Sequence, residues 1–277
     1  MEKLRLNEIL PEGCYKPQNM KKKDVETAFL KGATVIGWVL PNIDEDNKRI
    51  FVQLGEGIIA TLPFDETTIY PYTYSKSAPH LKIPLQIACL TGKVICAKVI
   101  SIDNGNIVLS RKQNMQEALE VLKQREFLTF LVSNVRTSLV FGDVGHGIQA
   151  CIFIHNLCKS HIKSATEICK SGDSIFVKVL SIDELGRFDV SYKDACPPYN
   201  PANYKKDDTI AVRITKPVDN TFSGFFAYVT PQVCGIVDYH SDLPLMRYGD
   251  IVECRVSSAN ANGLRLKFIR MLNKSTV

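Results

Sequence analysis

Short runs of alternating apolar and polar residues fill most of this chain, with turn-forming residues between them. Such alternation puts every second side chain on one face of a strand. Residues 94–102 and 175–182 are apolar, β-branched runs, each followed by a turn rich in Asn, Asp and Gly. A shorter alternating strand comes next. Its inward positions are Ile107 and Leu109, Phe188 and Val190, and in a third copy Leu264 and Leu266. Three more strand candidates precede each pair. The first set is 35–40, 127–135 and 209–215, the second 49–54, 139–144 and 224–229, and the third 59–64, 150–155 and 235–239.

These runs belong to a repeat. SGDSIFVKVLSIDELGRFDVSYK (171–193) is its clearest form, and TGKVICAKVISIDNGNIVLSRK (91–112) is an earlier copy. A worn copy reads YGDIVECRV (248–256) and then NGLRLK (262–267). The landmark glycines Gly92, Gly172 and Gly249 stand 80 and 77 residues apart. A near-constant period marks one fold unit used three times. Five short strands per unit, with an insert before the fourth, predict an all-β chain of three tandem five-stranded OB-type barrels. Residues 161–169 read as the insert helix of the middle unit. Met115, Ala118, Leu119 and Leu122 recur at helical spacing and predict a connecting helix. The Pro-rich stretch 195–204 reads as a stiff extended linker.

The expected domains are thus 31–112 with a loop insertion at 70–86, 125–194 and 205–272. The helix 113–124 and the linker 195–204 join them. Residues 1–30 hold Lys21, Lys22 and Lys23 and show no period, so they read as a basic lead-in.

Composition narrows the setting. The chain has 277 residues, 45% hydrophobic and 23% charged, which suits a globular protein with several small cores. No run approaches a membrane span, and the first residues lack a secretory apolar core, so the expected location is the cytoplasm, with no membrane partner. Nine cysteines, an odd number, read as reduced thiols. The net charge of +5 permits a polyanionic partner without requiring one. Any basic surface must therefore come from placement.

The run Gly172-Asp173, Val177-Lys178-Val179-Leu180, Ile182-Asp183, Gly186-Arg187 and Val190-Ser191 closely resembles the end of the S-one RNA-binding domain. That module repeats in the bacterial ribosomal protein of the same name and in its short three-repeat relatives from Firmicutes. The resemblance covers about 31–270 and implies an RNA-binding protein without a cofactor. It implies single-stranded RNA as partner, in translation or RNA handling, with the ribosome or other RNA-associated proteins as further partners.

Strand phase points the same way. With Ile50, Val52 and Leu54 inward, Arg49, Phe51 and Gln53 face out. With Val140 and Val144 inward, Phe141 and Asp143 face out; with Phe225, Ala227 and Val229 inward, Phe226 and Tyr228 do. One outward Phe at the same place in each unit suits base stacking. The family pattern adds an aromatic or His on strand three and an Asp and Arg around the last turn. In unit two these fall on Phe153, Asp183 and Arg187. Unit one keeps Phe51 and Asp103 but has Pro63 and Asn106 at the other places. Unit three keeps Phe226 but has Asp238 on strand three, with Lys267 or Arg265 as substitute cation. The expected binders are therefore units one and two, or the middle unit mainly. In the opposing reading the rings are rim packing, Asp183 and Arg187 are a surface ion pair, and the barrels are a protein-interaction scaffold.

No nucleophile elbow or Walker loop is present, and the Gly142–Gly147 stretch reads as a tight β-turn. Cys151, His155, Cys158 and His161 lack the spacing of a zinc knuckle. They read as a buried Cys158 thiol and exposed imidazoles. No enzymatic activity is expected.

Overall fold

A computed structural model describes residues 9–74, 83–218, 224–261 and 263–275. The first barrel contains β1 (Thr34–Asp44), β2 (Arg49–Gly55), β3 (Ile58–Pro63), β4 (Val94–Asp103) and β5 (Asn106–Ser110). The middle barrel contains β6 (Phe127–Val135), β7 (Leu139–Asp143), β8 (Gln149–Phe153), β9 (Ser174–Ile182) and β10 (Phe188–Ser191). The third contains β11 (Thr209–Pro217), β12 (Gly224–Thr230), β13 (Val233–Asp238), β14 (Ile251–Asn260) and β15 (Gly263–Asn273). All three are closed and share one order: first, second, third, fifth, fourth strand. Parallel pairing of β3 with β5, and of β13 with β15, closes the loop. This is the OB arrangement.

Alternation explains the closure. Ile50, Val52 and Leu54 on β2 are fully buried with Leu62, Ile95 and Leu109. Val212, Ala227, Val237 and Leu266 do the same in the third barrel. Each such Val, Leu or Ile contributes roughly 1.5–3 kcal/mol through apolar burial. The landmark glycines have φ of +72°, +92° and +88°, in turns just before β4, β9 and β14. Side chains resist that backbone, so the period in the sequence is a period of left-handed turns.

The chain forms two compact units. One comprises Met1–Ser133, Gly142–Ala150 and Ser181–Phe188; the other comprises Asn134–Phe141, Cys151–Leu180 and Asp189–Val277. The middle barrel's strands are divided between them.

Several elements differ from expectation. The lead-in contains α1 (Lys22–Lys31), which buries Val25 and Ala28 against the first core; residues 1–8 lie outside the described set. Two inward positions among lysines leave too faint a period to read. Residues 161–169 form no α-helix, only a 3-10 turn at Ala165–Glu167. There Glu167 Oε1 accepts the backbone N–H of Lys163 and Ser164, and this local bonding competes with a continuing helix. Within 70–86, Tyr70 is buried and α2 spans Leu85–Ala88, while 75–82 lie outside the described residues, as does Asn262. The connecting helix is α3 (Arg111–Leu122), capped by the Ser110 hydroxyl, which accepts from Gln113 N. No described helix is long and apolar enough to cross a membrane.

Asp143 is not a free outward carboxylate. It accepts from Glu12 N at 2.7 Å and from Gly145 N and Gly147 N in its own turn. Beside it, Arg111 donates through Nε and Nη2 to both Glu12 oxygens at 2.8 Å, and through Nη1 to Thr67 O. His146 sits between Tyr15 Oη and Asn114, 3.0 Å from each. Burial and the Glu12 charge push Asp143 up to about 7, and burial pulls His146 down to about 4. This sealed polar cluster ties the lead-in to α3 and to the Asp143–Ile148 turn.

Candidate nucleic-acid interface

Each outward Phe carries a cation. Arg49 on β2 lies 5.6 Å from the Phe51 ring centroid. Arg49 Nε also donates to Asp44 at 2.7 Å; Asn47 and Arg49 together hold that carboxyl down to about 2. Arg136, one residue past β6, lies 5.3 Å from the Phe141 ring, and its N–H donates to Leu139 O. Lys216 stands opposite Phe226 in the β11–β12 register, its ammonium 5.4 Å from that ring. Exposed cation–π contacts contribute only about 0.5–1 kcal/mol. Their value here is placement: a flat apolar surface with a positive charge beside it. Arg136 and Lys216 are not among the residues read from the sequence. The legible signal was a basic residue closing the first strand of units two and three.

The other predicted residues are placed as follows. In the second compact unit, Phe153 is 42% exposed and stacks on His155, with centroids 5.8 Å apart and 18° between planes. Tyr228 is half-buried under Arg213, 5.0 Å away, and burial raises its hydroxyl to about 12. Arg265 is held by Asp238 at 3.1 Å; Lys267, also exposed on that strand, stands opposite Asp238 in the β13–β15 register.

In the first compact unit, Asp183 Oδ1 accepts from Leu185 N and Arg187 N and so holds its own turn. Arg187 meets Asp183 through its backbone N–H, while its guanidinium lies 5.5 Å over the Tyr70 ring. Tyr70 Oη donates to Gly186 O and accepts from Gln149 N, which fixes the turn that presents Arg187. Asp103 is exposed beside the Asn104–Gly105 turn and accepts from Ser101 Oγ at 3.1 Å. Pro63 ends β3 opposite Arg49.

The cysteine and histidine quartet does not converge. Cys151 Sγ donates to Asp189 at 2.9 Å, and the buried Cys158 donates to Ser160 O. Among the described residues no cluster of His, Cys, Asp or Glu is placed to hold a metal, and no disulfide is formed.

No family model matches the chain. It is 26% identical over 160 residues to the small ribosomal subunit protein bS1 of Staphylococcus saprophyticus, covering 53% of this chain and 40% of that protein. It is 26% identical over 197 residues to the bS1 homolog of Bacillus subtilis, covering 63% of this chain and 50% of that protein. It therefore spans half or less of these relatives. A polyribonucleotide nucleotidyltransferase of Thermodesulfovibrio yellowstonii is 30% identical over 96 residues, 32% of this chain and 14% of the enzyme. A solved multidomain protein with nucleic acid binding domains from Streptococcus pneumoniae aligns over 88% of this chain and 75% of its own, at 17% identity and a TM-score of 0.27.

Proposed function

We propose that this chain, a tandem OB-barrel protein similar to ribosomal protein S1, binds single-stranded RNA and works in translation or RNA handling in the cytoplasm. The observation that carries this is the recurrence, in all three barrels, of one outward Phe with a cation 5.3–5.6 Å from its ring. A base stacks on the ring without regard to sequence, and the neighbouring cation meets the phosphate that follows. Arg187 in the first compact unit and Lys267 in the second are further exposed cations, and Phe153 offers a further stacking surface. The protein holds the strand and performs no chemistry on it. The ribosome or other RNA-associated proteins are its further partners.

The test is titration of the full chain with a labelled single-stranded RNA at several salt concentrations. Binding should weaken with salt, with a log–log slope of roughly −0.7 for each phosphate contacted. Absence of binding at low salt overturns the reading.

A further inference from the structure

The second compact unit contains a cleft of about 410 Å³ that neither Phe141 nor Phe153 lines. Its size lies within the roughly 300–1,000 Å³ range of sites for small organic groups. The floor is apolar and comes from the core: Phe225 and Met246 are buried there. The rim is cationic, with Lys163, Lys216 and Arg247 all exposed. No carboxylate lines it among the described residues. Two described acids bonded to cleft residues have other partners as well. Glu167 takes the Tyr248 hydroxyl and two backbone N–H groups, and Asp250 takes Arg247 N and Ser275 N.

Tyr248 forms one wall. Its hydroxyl is held by Lys163 N at 2.8 Å and by Glu167, so the ring is fixed. The Lys163 ammonium lies 4.1 Å from the centre of that ring. An aromatic wall, an apolar floor and three cations with no carboxylate among the described lining residues suit one class of group, a planar base carrying a phosphate. Lys216 joins this cleft to the outward face, because the same side chain lies over Phe226. The third barrel lacks the Asp and Arg of the last turn, and this rim supplies charge in their place.

We propose that the cleft is a nucleotide subsite of the third barrel, taking the nucleotide next to the one stacked on Phe226. The insert of the middle repeat lends Lys163 to it. The proposal rests on the RNA-binding reading but goes beyond it, since it makes the third repeat a binder through residues outside the repeated face.

The experiment compares wild type, Phe141→Ala, Lys163→Ala/Arg247→Ala and the milder Lys163→Gln, each checked by thermal melting. Ligands are a single-stranded RNA, uridine monophosphate and inorganic phosphate. The double variant is expected to lose about tenfold in RNA affinity and to flatten the salt slope by roughly 0.7 per lost phosphate contact. Lys163→Gln should show a smaller loss in the same direction. RNA carrying 4-thiouridine should crosslink to the peptide containing Tyr248 in wild type and not in the double variant. If RNA binding needs Phe141 but is unchanged in the double variant, and no crosslink forms, the subsite is wrong while the wider reading stands. If the cleft variants abolish binding of uridine monophosphate or phosphate but leave RNA binding intact, the cleft serves a free anion and the proposal fails. If wild type binds no RNA, both fail together.

Discussion

Arg111 and Arg136 carry the same charge into opposite settings. Arg111 is buried, with both Glu12 oxygens at 2.8 Å and the Thr67 carbonyl at 2.7 Å. All three nitrogens of its fork are engaged by the protein itself. Arg136 is exposed, with its guanidinium 5.3 Å from the Phe141 ring. A ring occupies one face of the cation and accepts no N–H, so the donors remain available to an anion. The first arrangement is architecture; the second leaves a cation and a ring at the surface, as the proposed RNA face requires. Net charge predicts neither.

Removing a partner from each side sharpens the contrast. Glu12→Ala leaves the Arg111 charge buried and unmatched, which should cost about 3–5 kcal/mol of stability. Arg136→Ala loses only an exposed contact and should change stability by about 1 kcal/mol or less. Urea unfolding of both variants checks the pair. Equal, small effects would mean that the Glu12–Arg111 pair is not sealed.

Gly147→Ala is the next largest test. A Cβ there would lie 1.7 Å from Arg111 Nη2, on a backbone with φ of +82°. The substitution must displace the guanidinium from Glu12 and should cost about 1–3 kcal/mol, read from the same unfolding curves.

Acidity gives a finer test. Asp143 moves from an ordinary value of 3.8 to about 7, so the folded state holds a proton that the unfolded chain releases. Its share of stability falls as pH rises from about 4 to 7. His146 moves from 6.5 to about 4, so the unfolded chain holds the extra proton, and its share rises with pH across about 4 to 6.5. The two slopes oppose each other in the wild type. His146→Gln removes one of them. Stability should then fall with rising pH between about 4 and 7, by up to about 1.4 kcal/mol per pH unit. Urea midpoints measured across that range would show it.

The barrels were legible because β-strand alternation and the left-handed Gly92, Gly172 and Gly249 turns are local features. The outward Phe51, Phe141 and Phe226 followed from the same phase. The cluster of Glu12, Arg111, Asp143 and His146 was not legible, because those residues lie up to 134 positions apart and meet only after the chain folds. Asp143 looked exposed since strand phase knows nothing of a lead-in that covers it. The Arg187 guanidinium looked like a partner for Asp183 because they are neighbours in sequence, yet it lies over the Tyr70 ring in the folded turn. The cations beside Phe141 and Phe226 depend on strand register, which alternation alone does not fix.

The most direct test of the aromatic face is the triple variant Phe51→Ala/Phe141→Ala/Phe226→Ala, titrated with single-stranded RNA by fluorescence anisotropy beside the wild type. Stacking contributes about 1–3 kcal/mol per base. The expected result is a loss of affinity of at least about tenfold, with cooperative unfolding retained because the three rings lie outside the barrel cores. Unchanged affinity in a folded triple variant would contradict the account.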